Sequence, residues 1–221
     1  MREVKERFKE ESGIGSETAA QAWQDLATTF ALSAQQLAQL HRYLDLLLYY
    51  NKQVNLTAIE TPRGAIKYHF TDSLMLSKWY DVGASKGLVD VGTGAGFPAL
   101  PLKIMYPQVP MVLIEPNGKK RAFLEGVVSE LGLQDVQVCP YDWRTFIRTT
   151  EGELDLFVSR AALPVAELCR MFKPACSYNQ ALLVYWASET WQPDKEEQPY
   201  VSKEIEYRVG TRKRKLVLLK K

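Results

Sequence analysis

Residues 88–102, LVDVGTGAGFPALPL, constrain this chain more than any other stretch. An apolar run reaches Asp90, glycines follow at alternate positions (Gly92, Gly94, Gly96), and Phe97-Pro98 closes the turn. Glycine has no Cβ and accepts a left-handed backbone, so this pattern describes a loop that something approaches closely. A strand that runs into such a loop and continues as a helix is how ligand-binding α/β sheets begin. Three ligands suit it: a nucleoside triphosphate, a nicotinamide dinucleotide and S-adenosylmethionine.

A triphosphate loop ends in Gly-Lys-Ser/Thr, with the lysine on the phosphates. Here Phe97 follows Gly96, so that ligand is rejected. A dinucleotide fingerprint reads GxGxxG and is accompanied by a second glycine-led mononucleotide half, which does not follow here. S-adenosylmethionine carries no phosphate but must lay its methionine part close to the loop, and small residues permit that approach. Its ribose diol wants a carboxylate at the end of the second strand. Glu115 stands there, behind MVLI and 23 residues beyond Gly92. The competing account of Glu115 is a solvated strand-end charge.

The texture of the chain agrees with an α/β sheet. From Gly87 onward, strand-like runs at 87–93, 109–116, 135–140, 154–161 and 180–188 alternate with helical runs at 97–106, 117–132 and 164–174. This alternation signals an open, mostly parallel sheet. Two further strand-like runs, 201–210 and 211–221, meet at Gly210-Thr211 and suggest a closing hairpin. The first half reads helical. Leu37, Leu40, Leu44, Leu47 and Leu48 form one stripe, opened by a capping box at Ser33 and Gln36. Thr61-Pro62 opens another helix that is expected to run to about residue 80. Residues 11–16, ESGIGS, read as a hinge after a charged end. Together these features resemble the class I S-adenosylmethionine-dependent methyltransferase fold: a Rossmann-like seven-stranded sheet with a terminal antiparallel hairpin. The expected organisation is a helical region over 1–80, packed on a methyltransferase domain over 81–221.

Composition narrows the setting. The 221 residues are 46% hydrophobic and 24% charged, enough for a proper core. No apolar stretch is long enough to span a bilayer, and the charged MREVKERFKEE end lacks a secretory apolar region, so a cytoplasmic protein without membrane contact is expected. Cys139, Cys169 and Cys176 have no CxxC spacing; buried free thiols are expected, and no metal site. The net charge of +2 hides an uneven distribution, because residues 200–221 hold eight basic residues against two acidic ones. Arg212, Lys213, Arg214 and Lys215 within that tail are candidate RNA contacts. A solvated strand edge explains them equally well.

Several methyltransferase subclasses lack their signatures. Adenine amine methylation uses an Asp/Asn-Pro-Pro-Tyr turn after the fourth strand, where this chain has SRAALP. Cytosine C5 methylation needs a cysteine nucleophile, and Cys176 is displaced from the required place after proline and suits a core thiol. A histidine base is poorly supported, since His41 and His69 both precede the glycine loop. Guanine N7 needs no base: its in-plane lone pair carries no proton, and transfer depends mainly on alignment.

Five segments, YNKQVNLTAI (50–59), HFTDSL (69–74), VDVGTGAGFPALPL (89–102), KKRAFL (119–124) and SRA (159–161), resemble in that order the RsmG/GidB family. The resemblance covers about residues 35–221. It implies methylation of guanine N7 in 16S ribosomal RNA with S-adenosylmethionine, on free RNA or the small ribosomal subunit, by a chain expected to be monomeric. It implies cofactor contacts at Gly92, Gly94 and Phe97, with Gly96 in the same loop, at Glu115, at the backbone of Trp143 and Arg144, and near Arg160. Arg160, Asn51 and Lys52 are the candidates for positioning the acceptor, and Asn51, Lys52 and Asn55 for the active-site wall. The pairing of His69 with Asp72 reads as a local structural hydrogen bond. Two segments depart from the family pattern. Asp142-Trp143-Arg144 stands where the family reads Arg-Ala-Glu, suggesting a charge pair of reversed polarity and an indole placed where adenine should lie. Tyr185-Trp186-Ala187 stands for Leu-Lys-Gly, and Trp186 and Trp191 suggest either base stacking or core packing. These departures motivate an alternative: a divergent RNA- or ribosome-binding paralogue with altered or no turnover.

Overall fold

The computed structural model describes residues 18–221; the suggested hinge at 11–16 and the charged end lie outside the described residues. Seven strands form one sheet in the order β3-β2-β1-β4-β5-β7-β6. They are β1 (Leu88–Val91), β2 (Met111–Ile114), β3 (Val136–Cys139), β4 (Leu156–Arg160), β5 (Leu182–Ser188), β6 (Val201–Val209) and β7 (Arg212–Leu219). The first five are parallel, while β7 runs antiparallel to β5 and pairs with β6 in a hairpin. Gly210 turns that hairpin at φ 56°. The chain order reverses between β1 and β4, and the crevice outside the strand ends at such a point is where ligands bind in open α/β sheets. Helices α5 (Ala99–Met105), α6 (Gly118–Glu130) and α8 (Val165–Leu168) follow β1, β2 and β4.

One helix escapes the sequence reading. α7 (Trp143–Thr149) follows β3, with Asp142 as its N-cap accepting from the Thr145 amide at 2.7 Å. It has seven residues, most of them polar, and only Trp143 and Phe146 are buried. That is too little for a periodic signal.

Before the sheet come α1 (Ala19–Phe30) and α2 (Ala34–Val54), the latter with the expected capping box. The buried face of α2 is Leu40, Tyr43, Leu44, Leu47 and Asn51; Leu37 and Leu48 only flank it. The next segment does not stay α-helical. It runs as α3 (Pro62–Ala65), a π turn (Ile66–Thr71), α4 (Asp72–Leu74) and a 3₁₀ turn (Met75–Lys78). Thr71 and Ser73 hydroxyls donate to the Ile66 and His69 carbonyls at 3.0 and 2.6 Å. Short π segments recur at functional sites because the wider turn re-aims side chains. Here it carries Tyr68 and His69 and leads into Asp72. Apolar residues of α1, α2 and this segment share one buried cluster with one face of the sheet. A second cluster covers the other face beneath α7 and α8. The three cysteines are buried and free.

Candidate active site

All three loop glycines have positive φ, at 69°, 62° and 94° for Gly92, Gly94 and Gly96. Their roles differ. A Cβ at Gly96 would lie 2.5 Å from Leu100 Cδ1 and 2.6 Å from the Tyr43 hydroxyl, and one at Gly92 would strike Ala162. Those two glycines serve protein packing. A Cβ at Gly94 would meet nothing nearer than the Gly92 carbonyl at 4.0 Å. Gly94 therefore presents open space beside a backbone held at an unusual φ, which is the cradle a close ligand needs.

Two buried carboxylates face this loop. Glu115, at the end of β2, accepts the Gly94 amide on Oε2 at 3.0 Å and the Asn117 amide on Oε1 at 2.9 Å. Each oxygen keeps a lone pair for a ligand hydroxyl. Asp90, inside β1, accepts from Thr93 Oγ1 at 2.7 Å and from the Ala99 amide at 3.1 Å, both on Oδ2. Its Oδ1 is buried with no partner among the described residues. Burial pushes the Asp90 carboxyl up to about 6, against smaller opposing effects of those hydrogen bonds. An orphaned buried acceptor is costly, and an ammonium group satisfies it. An open cradle, a diol acceptor and an orphaned carboxylate oxygen fit S-adenosylmethionine. The sequence reading passed over Asp90, although a carboxylate within a strand buried throughout its length was itself a signal.

The other wall is built around Arg160, at the end of β4. Its Nη1 donates to the Tyr68 carbonyl and to Asp72 Oδ2, both at 3.1 Å, and its Nη2 donates to His69 Nδ1 at 3.0 Å. The guanidinium lies 5.3 Å from the centre of the Phe97 ring. Phe97 stacks on His69 with centroids 4.5 Å apart and on Tyr43 at 5.2 Å, and the Tyr43 hydroxyl donates to the Ala95 carbonyl. Since Nδ1 of His69 accepts, its Nε2 carries the proton and donates to Thr57 Oγ1 at 2.7 Å. Burial first, then Arg160, Arg212 and Arg214, hold His69 well below its ordinary pKa. The ring is neutral and its lone pair is engaged.

Asp72 is the hub of this wall and was not foreseen as such. Its side chain is 3% exposed. It accepts from Arg160, from Tyr207 Oη at 2.7 Å and from Arg214 Nη2 at 3.4 Å, while its carbonyl takes the Trp186 indole N–H at 2.9 Å. The Asp72 amide donates to the His69 carbonyl as a local structural bond, while Arg160 lies between the two side chains and binds both. Asn51 clamps the loop behind His69, accepting from the Thr57 amide at 2.8 Å and donating to its carbonyl at 3.0 Å. Asn55 ends α2 in the left-handed conformation, and Lys52 is exposed. His41 stacks on Trp23, away from this wall.

Several expectations are corrected. The Trp143 side chain is buried with Phe157, its indole donating to the Glu167 carbonyl at 2.9 Å, so it adds no bulk to an adenine site. Arg144 does not pair with Asp142; it forms a two-pronged bridge to Glu167 at 2.7 and 2.8 Å. Trp186 is 2% exposed and core-bound, so it offers no stacking face, while partly buried Trp191 meets Tyr185 in a tilted contact at 6.2 Å. The basic tail does not form one uniform phosphate-facing strip. Arg212 lies 3.9 Å over the Tyr68 ring, Arg214 reaches Asp72, Lys213 pairs with Glu189 at 2.7 Å, and buried Lys215 pairs with Glu204 at 2.9 Å. Arg214 shares Asp72 with Arg160, which links the tail to the wall beside the glycine loop. Among the described residues, no helix is long and apolar enough to cross a membrane, and no cluster of three or more His, Cys, Asp or Glu side chains is arranged to hold a metal ion.

The fold is similar to that of several solved structures. A SAM-dependent methyltransferase from Aquifex aeolicus superposes with a TM-score of 0.52 at 16% identity, covering 71% of this chain and 93% of that one. A variant of MtNAS in complex with S-adenosylmethionine gives 0.56 at 15% identity, covering 90% and 83%. Such likeness establishes the class I fold. Sequence relatives are nearer. The ribosomal RNA small subunit methyltransferase G of Geobacillus sp. strain WCH70 is 36% identical over 160 residues, 72% of this chain and 67% of that protein. Its namesake in Chloroflexus aggregans is 50% identical over 107 residues, 48% and 44%. The matched segments thus span between 44% and 67% of these two relatives' own lengths. The family model described as GidB, rRNA small subunit methyltransferase G, matches residues 36–217. The chain belongs to this family.

Proposed function

We propose that the chain is an S-adenosylmethionine-dependent RNA methyltransferase that modifies N7 of a guanine in 16S ribosomal RNA, as free RNA or in the small subunit. One observation carries the choice of acceptor atom. Among the described residues, the acceptor wall contains no side chain poised to remove a proton: His69 is neutral with its lone pair on Arg160, and Asp72 is buried and held by two arginines and the Tyr207 hydroxyl. Guanine N7 needs no deprotonation, so positioning alone suffices.

The bound cofactor supplies an electrophilic methyl group on a sulfonium centre. Gly94 leaves room for its methionine part, Asp90 Oδ1 takes the ammonium, and Glu115 takes the ribose hydroxyls. The backbone of Trp143 and Arg144 borders the adenine. Arg160 retains its Nε–H and one Nη2–H after the bonds described, donors suited to guanine O6 beside N7. Phe97, stacked with His69, fixes the plane between the two walls, and Asn51 holds the loop behind it. Tyr68, His69 and Asp72 of the helical region over 1–80 thus build the acceptor wall together with Arg160, Tyr207 and Arg214 of the domain over 81–221. Turnover is favoured over the reading without it by the burial of the Trp143 and Trp186 side chains and by the Arg144–Glu167 bridge.

The test is methyl transfer from labelled S-adenosylmethionine to 16S ribosomal RNA and to small subunits, followed by chemical cleavage at 7-methylguanine. One labelled guanine cleaved at N7 is the expected result. Label on another atom, or calorimetry without S-adenosylmethionine binding, overturns the proposal.

A further inference from the structure

A cleft of about 580 Å³ lies between α7, the helical segment 165–172 and the turn at 173–177. Both helices leave the carboxyl edge of the sheet and run back toward its amino edge, where most of the lining residues lie ahead of β4 and β5. Four cations line the cleft: Arg144, Arg148, Arg170 and Lys173. Against them stand Glu151 on the wall and Glu167 beneath. Four positive and two negative charges leave a net excess of two.

The three arginines are held, not merely crowded. Glu167, with 20% of its side chain exposed, takes Arg144 through two bonds at 2.7 and 2.8 Å, and Arg170 Nε at 3.2 Å. Those arginines stay 61% and 41% exposed. A guanidinium has five N–H donors, so Arg144 keeps three and Arg170 four for a ligand. Arg144 comes first in holding Glu167 below the ordinary carboxylate range, which keeps this anchor ionised. Arg148 Nε donates to the Arg144 carbonyl at 3.0 Å, which fixes its guanidinium one helical turn along. The separation is about 6 Å along the axis. Arg148 and Lys173 are exposed and make no ion pair among those found in the structure.

The lining contains no aromatic ring. A site that read bases would offer a stacking surface; this one offers fixed cations spaced along a groove, with the Ser177 hydroxyl on its wall. We propose that this cleft is a second RNA site, gripping the phosphodiester backbone of the substrate outside the methyl-transfer centre. It rests on the RNA-methyltransferase reading and deepens it by locating a contact with the phosphodiester backbone. Such contacts set orientation and register and carry no sequence information.

The test uses the full chain with Arg148→Gln and Lys173→Gln combined, because neither residue belongs to the methyl-transfer walls and neither anchors Glu167. Affinity for 16S ribosomal RNA is measured across a salt series, with S-adenosylmethionine affinity and thermal unfolding as controls. Loss of two single-strand phosphate contacts should flatten the slope of log K against log salt by about 1.4. Both controls should match the parent protein, and Arg148→Glu should weaken RNA binding further. A slope equal to that of the parent protein overturns the cleft, even if methyl transfer to RNA proceeds. If the parent transfers no methyl group to RNA but the slope still flattens, the cleft stands and the catalytic reading fails. Poly-glutamate competing at this cleft as tightly as RNA overturns its assignment to phosphodiesters.

Discussion

The two walls of the site are made differently. The proposed cofactor wall is built around near neighbours in sequence: Asp90, Thr93, Gly94 and Ala99 lie within ten residues, and Glu115 joins them from the next strand end. The acceptor wall is assembled from afar. Arg160 meets Asp72 across 88 positions and Tyr207 meets it across 135. A local wall is fixed by backbone geometry, here three glycines at positive φ. A distant wall is fixed by a buried charge hub. The first should therefore break in binding and the second in stability.

The hub carries the largest expected effect. Asp72→Ala leaves Arg160, Arg214 and the Tyr207 hydroxyl without their shared acceptor. Breaking one side of a buried ion pair costs about 3–5 kcal/mol. Urea unfolding should show a loss of that size, with RNA methylation lost as Arg160 is released. A cost below about 1 kcal/mol would mean that the wall is held by packing, and the contrast with the loop would disappear.

Next comes the loop. Gly94→Val has room inside the protein, so the fold should survive with a backbone penalty of about 1–2 kcal/mol for a side chain at φ 62°. S-adenosylmethionine affinity should fall about a hundredfold or more, near 2.7 kcal/mol. Gly96→Val should do the reverse and unfold the protein, because its side chain would meet Leu100 and Tyr43. Unchanged cofactor affinity in the Gly94 variant would show that all three glycines serve packing.

That division also explains what could be read in advance. The seven strands, the terminal hairpin and the cofactor loop were legible because each is written in one short segment with its own period or turn residue. Glu115 was legible because its strand end sits at a fixed distance from the loop. The π turn was not, since a helical stripe does not reveal one extra residue per turn. Nor was Asp72, because HFTDSL looks the same whether its aspartate caps a helix or collects two arginines and a tyrosine from other strands. Trp186 read as a stacking face and Trp143 as bulk beside the adenine, since an indole suits a core or a ligand site equally well in sequence. Their burial decided it. The basic tail misled for a related reason: formal charge does not show that Arg214 and Lys215 are turned towards internal carboxylates.

Asp90 links the loop to pH. Its carboxyl is raised to about 6 in the folded protein from an ordinary 3.8. Between those values the folded state holds the proton more firmly than the unfolded state, so without cofactor stability falls as pH rises from about 4 to 6. An ammonium at Oδ1 requires the ionised form. S-adenosylmethionine affinity should therefore weaken as pH drops through about 6, approaching tenfold per unit below it. Calorimetry across pH 5–8 measures this, and Asp90→Asn should flatten the profile while lowering affinity at pH 7.5. A flat profile in the parent protein would remove Asp90 from the cofactor wall.

Tyr207→Phe tests the hub more gently. The hydroxyl donates to Asp72, and burial together with that carboxylate keeps the phenol protonated far above its ordinary pKa. Deleting it removes one bond to a charged acceptor but leaves both arginines in place. A loss of about 1.5 kcal/mol is expected in urea unfolding. A loss as large as that of Asp72→Ala would mean that Tyr207, not the ion pairs, holds the hub together.

The smallest effects belong to the hairpin surface, where alternate side chains separate the two possibilities for the basic tail. Arg212 and Arg214 face Tyr68 and Asp72, on the acceptor wall. Lys213 points the other way and pairs with Glu189, each about half exposed. An exposed pair of this kind contributes about 0–1 kcal/mol, so Lys213→Gln should leave unfolding nearly unchanged. If Lys213 also touches an RNA phosphate, the salt slope should flatten by about 0.7; if it is a solvated edge residue, the slope should not move. The structure favours the second outcome, because Glu189 already answers its charge. Arg214→Gln, by contrast, should lower stability through Asp72 and should disturb methyl transfer through Arg160, whatever the salt concentration. A pair of variants one residue apart, one silent and one coupled to the site, would show that the tail belongs to the acceptor wall by its inward face. Equal salt-dependent losses in both would return the whole tail to phosphate binding.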